Sequence, residues 1–156
     1  MKKFLYKKKF LFLFELANNH NGSKKNAFKL IDDAKSIAKF SNIEFGFKLQ
    51  FRDLKTFLHK DGKKTKNKHV KRFLDTKLKK KDYIDICKYI KKKNFKLIIT
   101  PFDESSVDLA KKCKVDIIKI ASCSNNDWPL IEKIATQKKP VIASTGGIDF
   151  DEIDNL

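Results

Sequence analysis

The chain has 156 residues and is 41% hydrophobic, which suits one domain with a real core. Its 14 Phe, 5 Gly and 3 Pro exclude a disordered or fibrous chain, and no run approaches the ~18 apolar residues of a membrane helix. The formal net charge of +17 rests on 34 Lys and only 2 Arg, spread through every segment. Specific nucleic-acid recognition leans on the planar Arg fork, so the charge reads as a solvated surface and no nucleic-acid partner is expected.

Cys87, Cys113 and Cys123 form an odd, scattered set without a C-x-x-C pair. That excludes a disulfide scaffold and a zinc ribbon, and suits a reducing cytoplasm. The opening MKKFLYKKKFLFLF imitates a signal peptide, but Glu15 interrupts the short apolar run and no small-residue cleavage site follows. The expected location is therefore the cytoplasm.

Phe10–Ala17 is the first predicted strand. Asn-His-Asn-Gly follows, and Ser23 is placed to cap a helix whose stripe is Ala27, Leu30, Ile31, Ala34, Ile37 and Ala38. Glu44–Phe51 is the second strand. About 30 residues then precede the helix Asp82–Lys93, far more than such loops usually need. This segment holds the basic run Lys60–Lys68 and a short helical pattern, HVKRFLDT. It reads either as a lid or substrate loop, or as a tolerated surface insertion. Lys96–Phe102, Asp116–Ser122 and Pro140–Ser144 are the remaining strands. Glu104–Lys114 and Trp128–Lys138 are the helices between them, and Asp149–Leu156 opens another.

Alternation of this kind predicts an α/β chain with a parallel sheet. No G-x-G-x-x-G or G-x-x-x-x-G-K-[ST] is present, so the common nucleotide-binding open sheets lack their signature. A closed (β/α)8 barrel needs ~250 residues. The fold expected is a partial (β/α)8 TIM barrel, about the first five βα units.

Polar residues interrupt these strands in phase. Phe45, Phe47, Leu49 and Phe51 share one face of the second strand; Gly46, Lys48 and Gln50 share the other. On the fourth strand Ile118 and Ile120 alternate with Ile117, Lys119 and Ala121. Glu15 lies near the end of the first strand, in phase with Leu11 and Leu13. Two inward Lys and one inward Glu read either as a site holding an anion or as a plug of paired charges. Thr100, Ser122 and Ser144, near strand ends, supply hydroxyls to the same place or serve their turns. Asn19 and His20 follow the first strand. No spacing of His, Cys, Asp or Glu makes a metal site.

The ordered motifs ELANNHNG, FKLQ, TPFDESSVDLA, KIASCSNNDWPLIEKIA and KPVIASTGG resemble the sialic acid synthase family, from about Phe10 to Ile153. That family includes N-acetylneuraminate, legionaminic acid and pseudaminic acid synthases. The resemblance implies a (β/α)8 barrel followed by a small antifreeze-like domain, acting as a homodimer in surface-glycan synthesis. It implies condensation of phosphoenolpyruvate with an N-acetylated amino sugar, such as N-acetylmannosamine, to a nine-carbon 2-keto acid. A divalent metal, Mn or Mg, is implied as cofactor, with histidine ligands from later strands than this chain holds. By the same resemblance Glu15, Lys48 and Lys119 are catalytic, and Asn19, His20, Gln50, Thr100, Ser122 and Ser144 bind substrate. Where many members carry an acidic sugar contact this chain has Ser124, with Asp127 nearby. On this reading residues 1–156 are the N-terminal part of such an enzyme, inactive alone. A Schiff-base aldolase using Lys48 or Lys119, or a remnant that binds phosphoenolpyruvate without turnover, is the alternative.

Overall fold

The computed structural model describes residues 10–38, 43–59, 61 and 66–156. Most of the basic run Lys60–Lys68 lies outside them.

The elements alternate as β1 (Phe10–Glu15), α1 (Lys24–Ile37), β2 (Ile43–Phe51), α2 (Leu54–Phe57), α3 (Lys68–Asp75), α4 (Lys80–Lys92), β3 (Lys96–Pro101), α5 (Glu104–Lys112), β4 (Ile117–Ile120), α6 (Trp128–Ala135), β5 (Val141–Ala143) and α7 (Phe150–Asn155). Helix starts follow the local capping chemistry. Ser23, Asp103 and Asp127 each accept a backbone N–H of the helix they open, and Asp149 and Glu152 form a reciprocal capping box.

All five strands are parallel, in the order β1-β2-β3-β4-β5. This order separates the two architectures compatible with alternation. A doubly wound sheet reverses its strand order at a switch point, whereas a barrel winds in one direction. The sheet is a curled half-barrel with helices between its strands. β1 and β5 are its two edges among the described residues, and Phe10, Phe12, Val141 and Ile142 are exposed there.

Period-two alternation divides the sheet residues into two layers. On the outer side Phe47, Leu49, Phe51, Leu97, Ile99, Ile118 and Ile120 join one core with Ile31, Ile86, Ile90, Val107 and Leu130 of the helices. Ile98 and Ile117 are equally buried but stand outside that core, on the inner face. Gly46 belongs to this inner face. A Cβ there would meet Ile98 Cδ1 at 2.6 Å and Leu13 Cδ2 at 2.7 Å. The narrow interior therefore needs a glycine between two branched neighbours.

The long β2–α4 segment is ordered by α2 and α3 wherever it is described; α2 was not anticipated from the sequence. Gly22, at φ +71°, is the point where the β1–α1 turn meets α3: a Cβ there would lie 3.0 Å from the Asp75 carbonyl. The scattered cysteines also converge in part. Cys87 on α4 and Cys113 at the end of α5 are buried free thiols, while Cys123 is exposed. The Cys87 thiol donates to Cys113, and that hydrogen bond together with burial pushes the Cys87 thiol far up.

Candidate active site

Glu15 ends β1, and its register partner on β2 is Lys48. Their side chains form an ion pair through Glu15 Oε2. Oε1 accepts the Ala17 N–H at 2.9 Å, so each carboxylate oxygen is engaged. Lys48 is the more enclosed partner, its side chain 12% exposed against 42% for Glu15.

Two residues further along β2, Gln50 stands in register with Thr100 of β3. Thr100 is 2% exposed, and its buried hydroxyl has no hydrogen-bond partner among the described residues. On β4, Lys119 donates to the Ser144 hydroxyl just beyond β5. Ser144 N–H in turn donates to the Ile120 carbonyl at 3.1 Å, which extends the β4–β5 ladder and fixes the serine. Burial lowers the Lys119 pKa and the Lys48 ammonium lowers it further, while Glu15 and Cys123 pull the other way. Both lysines and the glutamate thus belong to one electrostatic unit on the inner face.

Chemically, two ammonium groups face one carboxylate, with hydroxyls at Thr100 and Ser144 beside them. That leaves an excess of positive charge in a partly desolvated place. An anion with several oxygens would relieve the Lys48–Lys119 repulsion and give the Thr100 hydroxyl a partner.

Three predicted residues stand apart from these contacts. His20 is 1% exposed; its Nδ1 accepts the Gly22 N–H at 3.1 Å, and its ring meets Tyr83 edge-on. Burial lowers its pKa, so a neutral ring with the proton on Nε2 fits this turn. Asn19 is exposed and lines a groove of about 430 Å³ with Glu15, Phe14 and residues of α1. Ser122 is exposed in the turn after β4, beside Gly146. Ser124 is buried, and the Asp127 carboxylate is engaged in capping α6, accepting the Leu130 N–H at 3.3 Å.

Two residues escaped the sequence reading. Asp103 receives the Asp53 N–H at 2.7 Å, the Ser106 N–H at 2.8 Å and the Ser105 hydroxyl at 2.8 Å, clamping the start of α2 to the start of α5. Arg52 donates through Nη2 to Gln50 Oε1 at 2.5 Å. Its guanidinium lies over the rings of Phe102, Phe73 and Phe57, at 4.0, 4.7 and 5.7 Å from their centroids. The available signal was an arginine in a chain that otherwise uses lysine almost exclusively. A planar cation is chosen where stacking and a directed fork are required.

Among the described residues no three His, Cys, Asp or Glu side chains converge as a metal site. The donors among the described residues do not by themselves fit a divalent cofactor.

Residues 36–156 match the NeuB family. The chain belongs to that family. It is 33% identical over 156 residues to the N,N'-diacetyllegionaminic acid synthase of Campylobacter jejuni, covering 94% of this chain and 45% of that one. Among solved structures, a spore coat polysaccharide biosynthesis protein E from Chromobacterium violaceum superposes with a TM-score of 0.89 at 46% identity, over 93% of this chain and 44% of that chain. The N-acetylneuraminic acid synthetase of Leptospira borgpetersenii, solved in complex with citrate, gives a TM-score of 0.72 at 27% identity, over 94% of this chain and 47% of that chain. The chain therefore spans less than half the length of these relatives. No helix among the described residues is long and apolar enough to cross a membrane.

Proposed function

We propose that this chain supplies the phosphoenolpyruvate-binding half of a cytoplasmic sialic-acid-synthase-type active site. The whole enzyme condenses phosphoenolpyruvate with an N-acetylated hexosamine, such as N-acetylmannosamine, to a nine-carbon 2-keto sugar acid for surface polysaccharide. The observation that carries this reading is the cluster of Lys48, Lys119, Ser144 and Glu15 on the inner face.

Lys48 and Lys119 hold the phosphate and carboxylate of phosphoenolpyruvate, with Thr100, Ser144 and Ser122 donating to its oxygens. Carbon 3 attacks the sugar aldehyde, water adds at carbon 2, and phosphate leaves with cleavage of its C–O bond. Glu15, held between Lys48 and the Ala17 N–H, stands where it can manage a proton on that water. Gln50 contacts the sugar, and Asn19 and His20 shape the adjoining turn. The divalent metal, Mn or Mg, takes its ligands from outside this chain, and the homodimer belongs to the same reading. A related synthetase of this fold has been solved in complex with citrate, itself an oligoanion.

Calorimetry with phosphoenolpyruvate tests the proposal. Saturable binding that falls at least about tenfold in Lys48→Ala and in Lys119→Ala is expected, since each removes a charge-assisted contact. Binding indifferent to both substitutions overturns it.

The lowered pKa of Lys119 favours one second reading, a Schiff-base aldolase, because that chemistry needs a neutral amine. Borohydride reduction in the presence of pyruvate separates the two. A covalent adduct on Lys119 supports the aldolase; no adduct in a chain that binds phosphoenolpyruvate supports the synthase.

A further inference from the structure

We infer that Arg52 is a positioning residue that turns Gln50 into a hydrogen-bond donor toward the sugar co-substrate. The inference rests on the function proposed above for its substrate, but not for its geometry.

The reasoning begins at Gln50. A free glutamine amide presents either its carbonyl or its NH2 group, and the two orientations select opposite ligand atoms. Here the choice is removed. Arginine has only donors, so the amide oxygen is the one atom of Gln50 that Arg52 accepts as partner. Arg52 Nη2 donates to Gln50 Oε1 at 2.5 Å. The remaining group, Nε2, is the one left for a ligand on the inner face, where Gln50 stands beside Thr100. It fits an acceptor oxygen, such as the N-acetyl carbonyl or a hydroxyl oxygen of the sugar.

Arg52 in turn is held by rings from three places. Phe57 is on α2, Phe73 on α3, and Phe102 follows β3. Phe57 also packs edge-on against both Phe73 and Phe102, at 5.6 and 5.9 Å. The Nε of Arg52 is buried with no hydrogen-bond partner among the described residues. Apart from the bond to Gln50, stacking on these rings holds the guanidinium. Lysine has neither the plane to stack nor the fork to aim. This assigns a task to the long β2–α4 segment: it builds the aromatic seat that orients Gln50.

The test uses the full chain and two variants. Arg52→Lys keeps the charge but loses the plane. Gln50→Glu keeps an acceptor for Arg52 but loses the donor, so it stays folded whatever becomes of Arg52→Lys. The first readout needs no substrate: the Gln50 side-chain NH2 resonances, assigned by their disappearance in Gln50→Glu, are compared between wild type and Arg52→Lys. The second is titration with N-acetylmannosamine in the presence of phosphoenolpyruvate, and with phosphoenolpyruvate alone.

The expected result is a shifted Gln50 NH2 signal in Arg52→Lys. Sugar affinity falls about tenfold in both variants, as for one well-aimed hydrogen bond, and in the charge-conserving Arg52→Lys phosphoenolpyruvate affinity stays within about twofold. An unmoved NH2 signal overturns the positioning role. Sugar affinity retained in Gln50→Glu overturns the donor assignment. An NH2 signal that shifts in Arg52→Lys, together with a wild-type chain that binds phosphoenolpyruvate but no amino sugar, overturns the sugar part of the proposed function, while the Arg52–Gln50 contact stands.

Discussion

Glu15 and Lys48 occupy the same register position on neighbouring parallel strands and close as an ion pair at the end of the β1–β2 ladder. Because Lys48 is the enclosed partner, the pair is asymmetric. Removing the carboxylate leaves an enclosed ammonium beside Lys119. We expect Glu15→Gln to lower stability by about 1–2 kcal/mol, less than a fully buried pair because Glu15 is partly solvated. Urea denaturation reads this. The double variant Glu15→Gln/Lys48→Met should recover most of the loss, and no recovery would show that the pair is not coupled.

Lys119 gives the pH dependence. Its pKa lies below the ordinary 10.5 through burial first and Lys48 second. Between the folded value and 10.5 the unfolded chain holds more protons than the native one. Stability from this group therefore rises with pH through that window, and the penalty is fully present below the folded value. Lys119→Met should flatten that alkaline rise and leave the neutral-pH melting temperature equal or higher. A bound anion reverses the shift, so phosphoenolpyruvate binding should take up protons in the same window. Calorimetry in buffers of different ionisation heat checks the sign.

Gly46→Ala should destabilise by about 1–3 kcal/mol, as overpacking does, because its Cβ has no room between Leu13 and Ile98. Gly146→Ala is the control. Its Cβ meets only Ser122 Cβ, at an ordinary 3.5 Å. Equal denaturation midpoints for the two variants would contradict a tightly packed inner face.

Thiol labelling checks the helix layer. Cys123 is exposed and should react at once with a maleimide. Cys87 and Cys113 are buried between α4 and α5, and Cys87 is held further by its raised pKa. They should react only as the chain unfolds. Three fast thiols would mean that this layer is not formed.

Most of the barrel plan was legible from periodicity, which is a local property. The phase of Phe45, Phe47, Leu49 and Phe51 placed Lys48 and Gln50 on the opposite face, and the structure has that division. Capping was legible for the same reason: Ser23 lies three residues before the N–H it accepts. The helix α2 was not legible, since four residues carry too little periodicity, and its start depends on Asp103 fifty positions away. His20 and Asn19 are adjacent in the chain yet face different surroundings, because the turn after β1 buries one and exposes the other.

By itself the sequence determined which residues alternate, hence that Glu15, Lys48, Gln50 and Lys119 share one face of a parallel sheet. Two-residue periodicity needs no knowledge of the partner strand. The tertiary structure alone decided how those residues are used. Pairing Glu15 with Lys48 and Lys119 with Ser144 depends on register across strands. Seating Arg52 requires Phe57, Phe73 and Phe102 to meet from three segments. Contacts between distant positions are set by how the elements pack, and no local pattern in the chain records them.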